Sequence, residues 1–126
     1  MKILGELFRP VSISFAEGAD DSNVHFTAIL KPMMDNNVFK AHFPGKPVVP
    51  GACLVGAAAE LVADEVGAEW KLTCIKNVKF TSLIEPDEDT LVTMNVTVDK
   101  TTSNVKVLVS YNESIACKMS LVCTIA

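Results

Sequence analysis

Residues 50–67, PGACLVGAAAELVADEVG, carry no charged side chain before Glu60. The stretch predicts a helix. Pro50 can sit in a first turn, where a missing N–H costs nothing, and Gly67 supplies a stop. The first half of this helix is apolar on every face, and a helix apolar all round is a buried one. Ala52, Gly56, Ala57, Ala58 and Ala59 are small enough for a sheet to approach its axis closely. Whatever this chain folds into must therefore close around one helix.

The rest of the chain reads as strands. VSISF at 11–15 alternates as a half-buried strand does, and VHFTAILK at 24–31 follows the turn-rich 17–23, which predicts a hairpin. Residues 32–49 read as a long irregular loop, and loops of that length inside a compact domain tend to be functional. Beyond the helix, 72–80, 90–99, 104–111 and 115–125 read as strands, separated by the turn chemistry of EPDED, DKTTSN and NES. Two strands, one helix and four strands give an α+β arrangement, with about six antiparallel strands wrapping one long central helix. This is the hot-dog fold. With no repeat or linker, residues 1–126 are expected to form a single domain.

Composition excludes several classes of function. A net charge of -4 is the wrong sign for a nucleic-acid binder. No stretch approaches the roughly 18 apolar residues that span a membrane. The opening MKILGELFRPV breaks its apolar run at Gly5 and Glu6, unlike a signal peptide, so a cytoplasmic protein is expected. Cys53, Cys74, Cys117 and Cys123 form no CxxC pair, and two histidines complete no zinc-ligand spacing. No metal or cofactor is expected. Cys74, Cys117 and Cys123 lie in apolar runs, where a reduced thiol acts as a small core hydrophobe.

Residues 38–60, VFKAHFPGKPVVPGACLVGAAAE, resemble the signature of the bacterial β-hydroxyacyl-acyl-carrier-protein dehydratases. In that family an F..GHFPG.P..PG block leads into the central helix. Phe39, His42, Phe43, Pro44, Gly45, Pro47, Pro50 and Gly51 match it in register. Downstream, IKNVKFTSLIEPDED resembles the family's strand with a phenylalanine followed by a proline turn, so the likeness spans residues 24–99.

Removing water from a 3-hydroxyacyl thioester needs a base at C2, an acid for the C3 hydroxyl and polarisation of the thioester carbonyl. His42 suits the base, since an imidazole of pKa ~6.5 is largely neutral at cellular pH. The Gly51 N–H, at a helix start, suits the carbonyl. The resemblance assigns both residues these roles. Phe43, Pro50, Ala52, Gly56 and Phe80 are the candidate substrate-binding residues, although Phe43 and Phe80, like Met33, Met34 and Leu54, could equally be acyl-tunnel wall or plain core. The product would be a trans-2-enoyl thioester.

The acid is where this sequence departs. The family's Glu or Asp falls at Gly56, which has no side chain to donate a proton. Glu60, one turn on along the same helix face, is either a substitute acid or a structural glutamate. A carboxylate directed into the cleft within water-bridged reach of His42 would favour the former. Asp64 is expected to be solvated. Cys53, in the first turn, could have a lowered thiol pKa and act as a nucleophile with His42 as its base; otherwise it is wall or core. His25 is expected on a strand surface. Besides dehydration, a non-catalytic acyl-thioester-binding subunit and an acyl thioesterase stay open.

The resemblance implies a thioester of acyl carrier protein or coenzyme A as substrate. Carrier proteins are acidic, which makes Lys40, Lys46, Lys76 and Lys79 the candidate docking residues. It also implies a homodimer, or an oligomer of such dimers, joined through residues 38–50 and 51–57.

Overall fold

Strict alternation builds the centre of the sheet. In Val92–Asp99, Val92, Met94, Val96 and Val98 are buried, while the residues between them are half-exposed. The computed structural model describes residues 2–16, 21–41 and 45–125. Its elements are β1 (Phe8–Phe15), β2 (Asn23–Pro32), α1 (Asn37–Ala41), α2 (Gly51–Glu65), β3 (Trp70–Phe80), β4 (Val92–Asp99), β5 (Asn104–Tyr111) and β6 (Ser114–Ile125). The strands form one six-stranded antiparallel sheet in the order β1-β2-β4-β5-β6-β3. Its buried face packs on α2, which gives the hot-dog arrangement that the element pattern predicts.

Helix α2 begins with Pro50 as its N-cap and ends where the Val66 and Gly67 N–H groups return to the Val62 carbonyl. Leu54, Ala57, Ala58, Leu61 and Val62 form its buried stripe. The all-round burial expected of it is corrected. Ala52 is exposed, and Val55, Gly56 and Ala59 are half-buried, because the sheet of one chain covers only one side. No helix among the described residues is long and apolar enough to cross a membrane.

Three further differences have physical causes. β1 begins at Phe8 rather than residue 11, and the segment before it is structured: Leu4, Leu7 and Phe8 are core residues. A tight turn makes this possible, with Gly5 at φ +91°, its N–H on the Phe8 carbonyl and the Leu7 N–H on Ile3. The loop at 32–49 contains α1, whose start is capped by the Asn36 side chain accepting from the Val38 N–H at 2.8 Å, and which buries Phe39. Cys117 and Cys123 are buried as expected, but Cys74 is exposed. It lies on edge strand β3, whose ladder with β6 slips between Leu72 and Cys74 and again between Ile75 and Asn77. Bulges of this kind twist an edge away from the core.

Candidate functional site

The loop leading to α2 is fixed at its end by the Val49 N–H, which donates to the Ile84 carbonyl at 2.9 Å. Gly45 in that loop has φ +77°, a backbone state that favours glycine. Phe80 closes β3 opposite Cys117, and its ring lies across the start of α2. A Cβ built on Gly51 would stand 2.5 Å from the Phe80 Cζ. Glycine at 51 is thus a packing requirement as well as a helix start.

A cavity of about 440 Å³ opens at this junction, lined by Val49, Gly51, Leu54, Phe80, Leu83 and Ile84 among others. That volume lies within the range of small-ligand pockets. Leu83 is 66% exposed and Phe80 54%, so the mouth is open and apolar. No side chain caps the first turn of α2. The leading N–H groups and the helix dipole therefore offer positive potential at one end of an apolar cavity. An acyl chain with a carbonyl at its head fits such an arrangement.

The structure brings Gly51, Leu54 and Phe80 together, with Pro50 adjoining them as N-cap. His42, Phe43 and Pro44 lie outside the described residues, as do the first four positions of the 17–23 turn. Ala52 faces solvent. Met33 and Met34 border a different cavity, of about 220 Å³, beside Arg9, Lys31 and Glu88. Cys53 is half-buried, and burial pushes its thiol pKa up, which leaves less thiolate rather than more. His25 is an exposed strand residue with Nδ1 2.7 Å from the Thr97 Oγ1, as its position in the sequence predicts. Asp64 is exposed.

Gly56 and Glu60 meet the N-terminal segment. A Cβ on Gly56 would approach the Ile3 Cγ1 to 3.1 Å. Glu60 accepts from the Ile3 N–H through Oε2 at 2.8 Å and from the Leu4 N–H through Oε1 at 2.9 Å. Both carboxylate oxygens are thus engaged about 13 Å along the helix from Gly51. The four lysines lie on three segments of the chain. Lys40 is exposed on α1, and Lys46 pairs with Glu85 at 3.4 Å. Lys76 donates to the Asn104 Oδ1 at 3.3 Å, and Lys79 stands opposite Lys118.

Val49, Leu83 and Ile84 were not anticipated as cavity wall. The signal was present in the apolar pair following Phe80, placed just before the EPDED turn.

Residues 16–120 match a family model described as ApeI-like, ApeI dehydratase. A 3-hydroxyacyl-[acyl-carrier-protein] dehydratase FabZ of Verminephrobacter eiseniae (strain EF01-2) is 27% identical over 117 residues, which cover 82% of this chain and 77% of the relative. A FabZ of Rickettsia bellii (strain OSU 85-389) is 36% identical over 95 residues, covering 68% of this chain and 63% of the relative. The chain thus spans slightly less than two thirds of that second protein. Among solved structures, the dehydratase heterocomplex ApeI:P of Xenorhabdus doucetiae superposes with a TM-score of 0.70 at 18% identity, covering 91% of this chain and 97% of the other.

Proposed function

The chain belongs to the ApeI-like dehydratase family, and from that premise we propose that it dehydrates a (3R)-hydroxyacyl thioester of a carrier protein, working beside a second hot-dog subunit. One observation carries this reading: an apolar cavity opens on the uncapped start of α2, directly after the HFPGKPVVPG loop. In the proposed reaction His42 takes the C2 proton. The Gly51 N–H receives the charge that develops on the thioester oxygen. The C2–C3 double bond forms as the C3–O bond breaks, and the hydroxyl leaves as water once an acid protonates it.

The second subunit is invoked for that acid. Gly56 has no side chain, and the Glu60 carboxylate already accepts two backbone N–H groups. A partner laid over the half-buried stripe of α2 could supply a carboxylate there. Strand β3 is a free edge, with Ile75 and Phe80 exposed. It carries Lys71, Lys76 and Lys79 but no carboxylate. Pairing with its own copy would line the shared edge with cations alone, whereas an acidic edge would complement it. A different, acid-bearing hot-dog protein therefore suits β3 better than the homodimer that the dehydratase resemblance implies. Four free thiols suit a reducing, cytoplasmic setting.

The test is incubation with a short 3-hydroxyacyl thioester, following enoyl absorbance and free thiol together. Enoyl product is expected only with the partner present, and His42→Ala should abolish it. Turnover by the chain alone would make the acid its own, and thiol release would make it a thioesterase. Full activity in His42→Ala would overturn the mechanism.

A further inference from the structure

The sheet has a second concavity on the face turned away from α2. His25 pairs with Thr97, Thr97 with Lys106, Lys106 with Ser120 and Ser120 with Asn77, which makes one row across five strands. In the neighbouring row Asn95 pairs with Leu108, Leu108 with Lys118 and Lys118 with Lys79. Side chains of both rows, all but Lys79, border a groove of about 460 Å³, a volume suited to a small ligand.

The outer face of a one-sided sheet is normally polar, so polarity alone says little. Three features go beyond it. The groove has no carboxylate in its lining, although the chain holds 15 acidic residues against 11 basic ones. Lys79 and Lys118 stand directly opposite each other, a like-charge placement that destabilises a ladder, and Lys106 is diagonal to Lys118. Among the described residues none of these three has an acidic partner within ion-pair distance. Finally, the Asn95 amide is turned as a donor. The Asn95 Oδ1 accepts from the Thr27 hydroxyl at 2.7 Å, which leaves the amide N–H₂ to the groove. The Thr97 Oγ1 contact engages His25 Nδ1 and not Nε2, which carries the proton in the tautomer whose Nδ1 accepts from the hydroxyl.

We propose that this groove binds a phosphate-bearing small molecule, with Lys106 and Lys118 as its charge partners and His25, Asn77 and Asn95 donating to its oxygens. A carboxylate brings one charge and two oxygens. A phosphate ester brings a charge of about -1.5 to -2 and three strong acceptors, which matches paired cations ringed by donors. The ester could belong to a free nucleotide or to coenzyme A; the chemistry that the groove recognises is the same. The site is separate from the α2 cavity and does not depend on the dehydratase reading.

The test is calorimetric titration of the full chain with inorganic pyrophosphate, against sodium chloride of equal ionic strength. Saturable binding is expected with pyrophosphate alone. In the Lys106→Gln/Lys118→Gln double variant it should weaken at least tenfold. Ser120→Asp, which sets a carboxylate between the lysines, should abolish binding while raising the melting temperature. That second variant keeps the test decisive even if the double variant folds poorly. Tighter binding of ATP than of coenzyme A would identify a nucleotide ligand, and the reverse order would identify coenzyme A. Absence of saturable binding, or equal binding by wild type and Ser120→Asp, would overturn the proposal.

Discussion

At the scale of single residues, Glu60 separates a structural carboxylate from a catalytic one. Two N–H groups converge on it, those of Ile3 and Leu4, and a carboxylate accepts both where an amide can accept only through its one oxygen. In Glu60→Gln one N–H would therefore face an NH₂ group. The expected loss is roughly 1–3 kcal/mol, with faster hydrogen exchange at the Ile3 and Leu4 amides. Urea unfolding and exchange by NMR would measure both. Unchanged exchange together with lost enoyl turnover would return Glu60 to the role of acid. None of this was legible in the sequence, because the two donors come from a stretch whose apolar pattern is interrupted by Gly5 and Glu6. Periodicity cannot reveal a turn that brings residues 3 and 4 onto the middle of a helix. The identity of position 56 was legible, whereas the reason glycine fits there, the approach of Ile3, was not.

Among the elements, the junction of α2 with β3 ties the candidate cavity to the fold. The Phe80 ring occupies the volume that any side chain at 51 would need. Gly51→Ala should cost about 1–3 kcal/mol by overpacking. Most of that cost should vanish in a Phe80→Ala background, so the two substitutions should be strongly non-additive in a double-mutant cycle. Additive effects would mean that the ring does not restrict position 51. The elements most legible beforehand were α2, from its uncharged small-residue run, and β4, from unbroken alternation. β3 was legible as a strand but not as a bulged edge. Its sequence alternates poorly, and bulges turn Cys74 and Ile75 outward where an apolar run suggests burial. Pro50 and Gly51, at the end of the signature block, lie at the near end of the cavity, while His42, Phe43 and Pro44 of the block lie outside the described residues. The far wall, Leu83 and Ile84, depends on how the chain leaves β3, and a pattern read along one strand does not contain that turn.

For the whole molecule, buried thiols set a response to alkali. Burial raises the thiol pKa of Cys53, Cys117 and Cys123 above its ordinary value of 9.0. A raised folded-state pKa means that the folded form holds its proton where the unfolded chain has released it. That contribution to stability is complete below pH 9.0 and is lost as pH climbs past it toward the folded-state values. Denaturation midpoints under reducing conditions should therefore fall above that pH, and Cys117→Ala/Cys123→Ala should flatten the decline. An identical slope in the variant would assign the decline to other groups. Asp87 acts at the opposite end: hydrogen bonds from the Asp89 N–H and Thr90 lower its pKa, so its contribution fades as pH falls below 3.8.

The strand order also dictates when the protein can become a protein. β6 leaves the ribosome after the other five strands of this sheet, yet it lies between β5 and β3 and is the ladder partner of both. Until residues 114–125 have emerged, β3 has no neighbour, β5 has one, and the buried stripe of α2 lacks part of its cover. From residue 65 until residue 114 the nascent chain thus carries an apolar helix with part of its cover missing, and sheet closure awaits β6. A ribosome stalled before codon 114 would hold a product that chaperones and proteases see as unfinished, and synthesis of residues 114–125 would shut two open edges with a single strand.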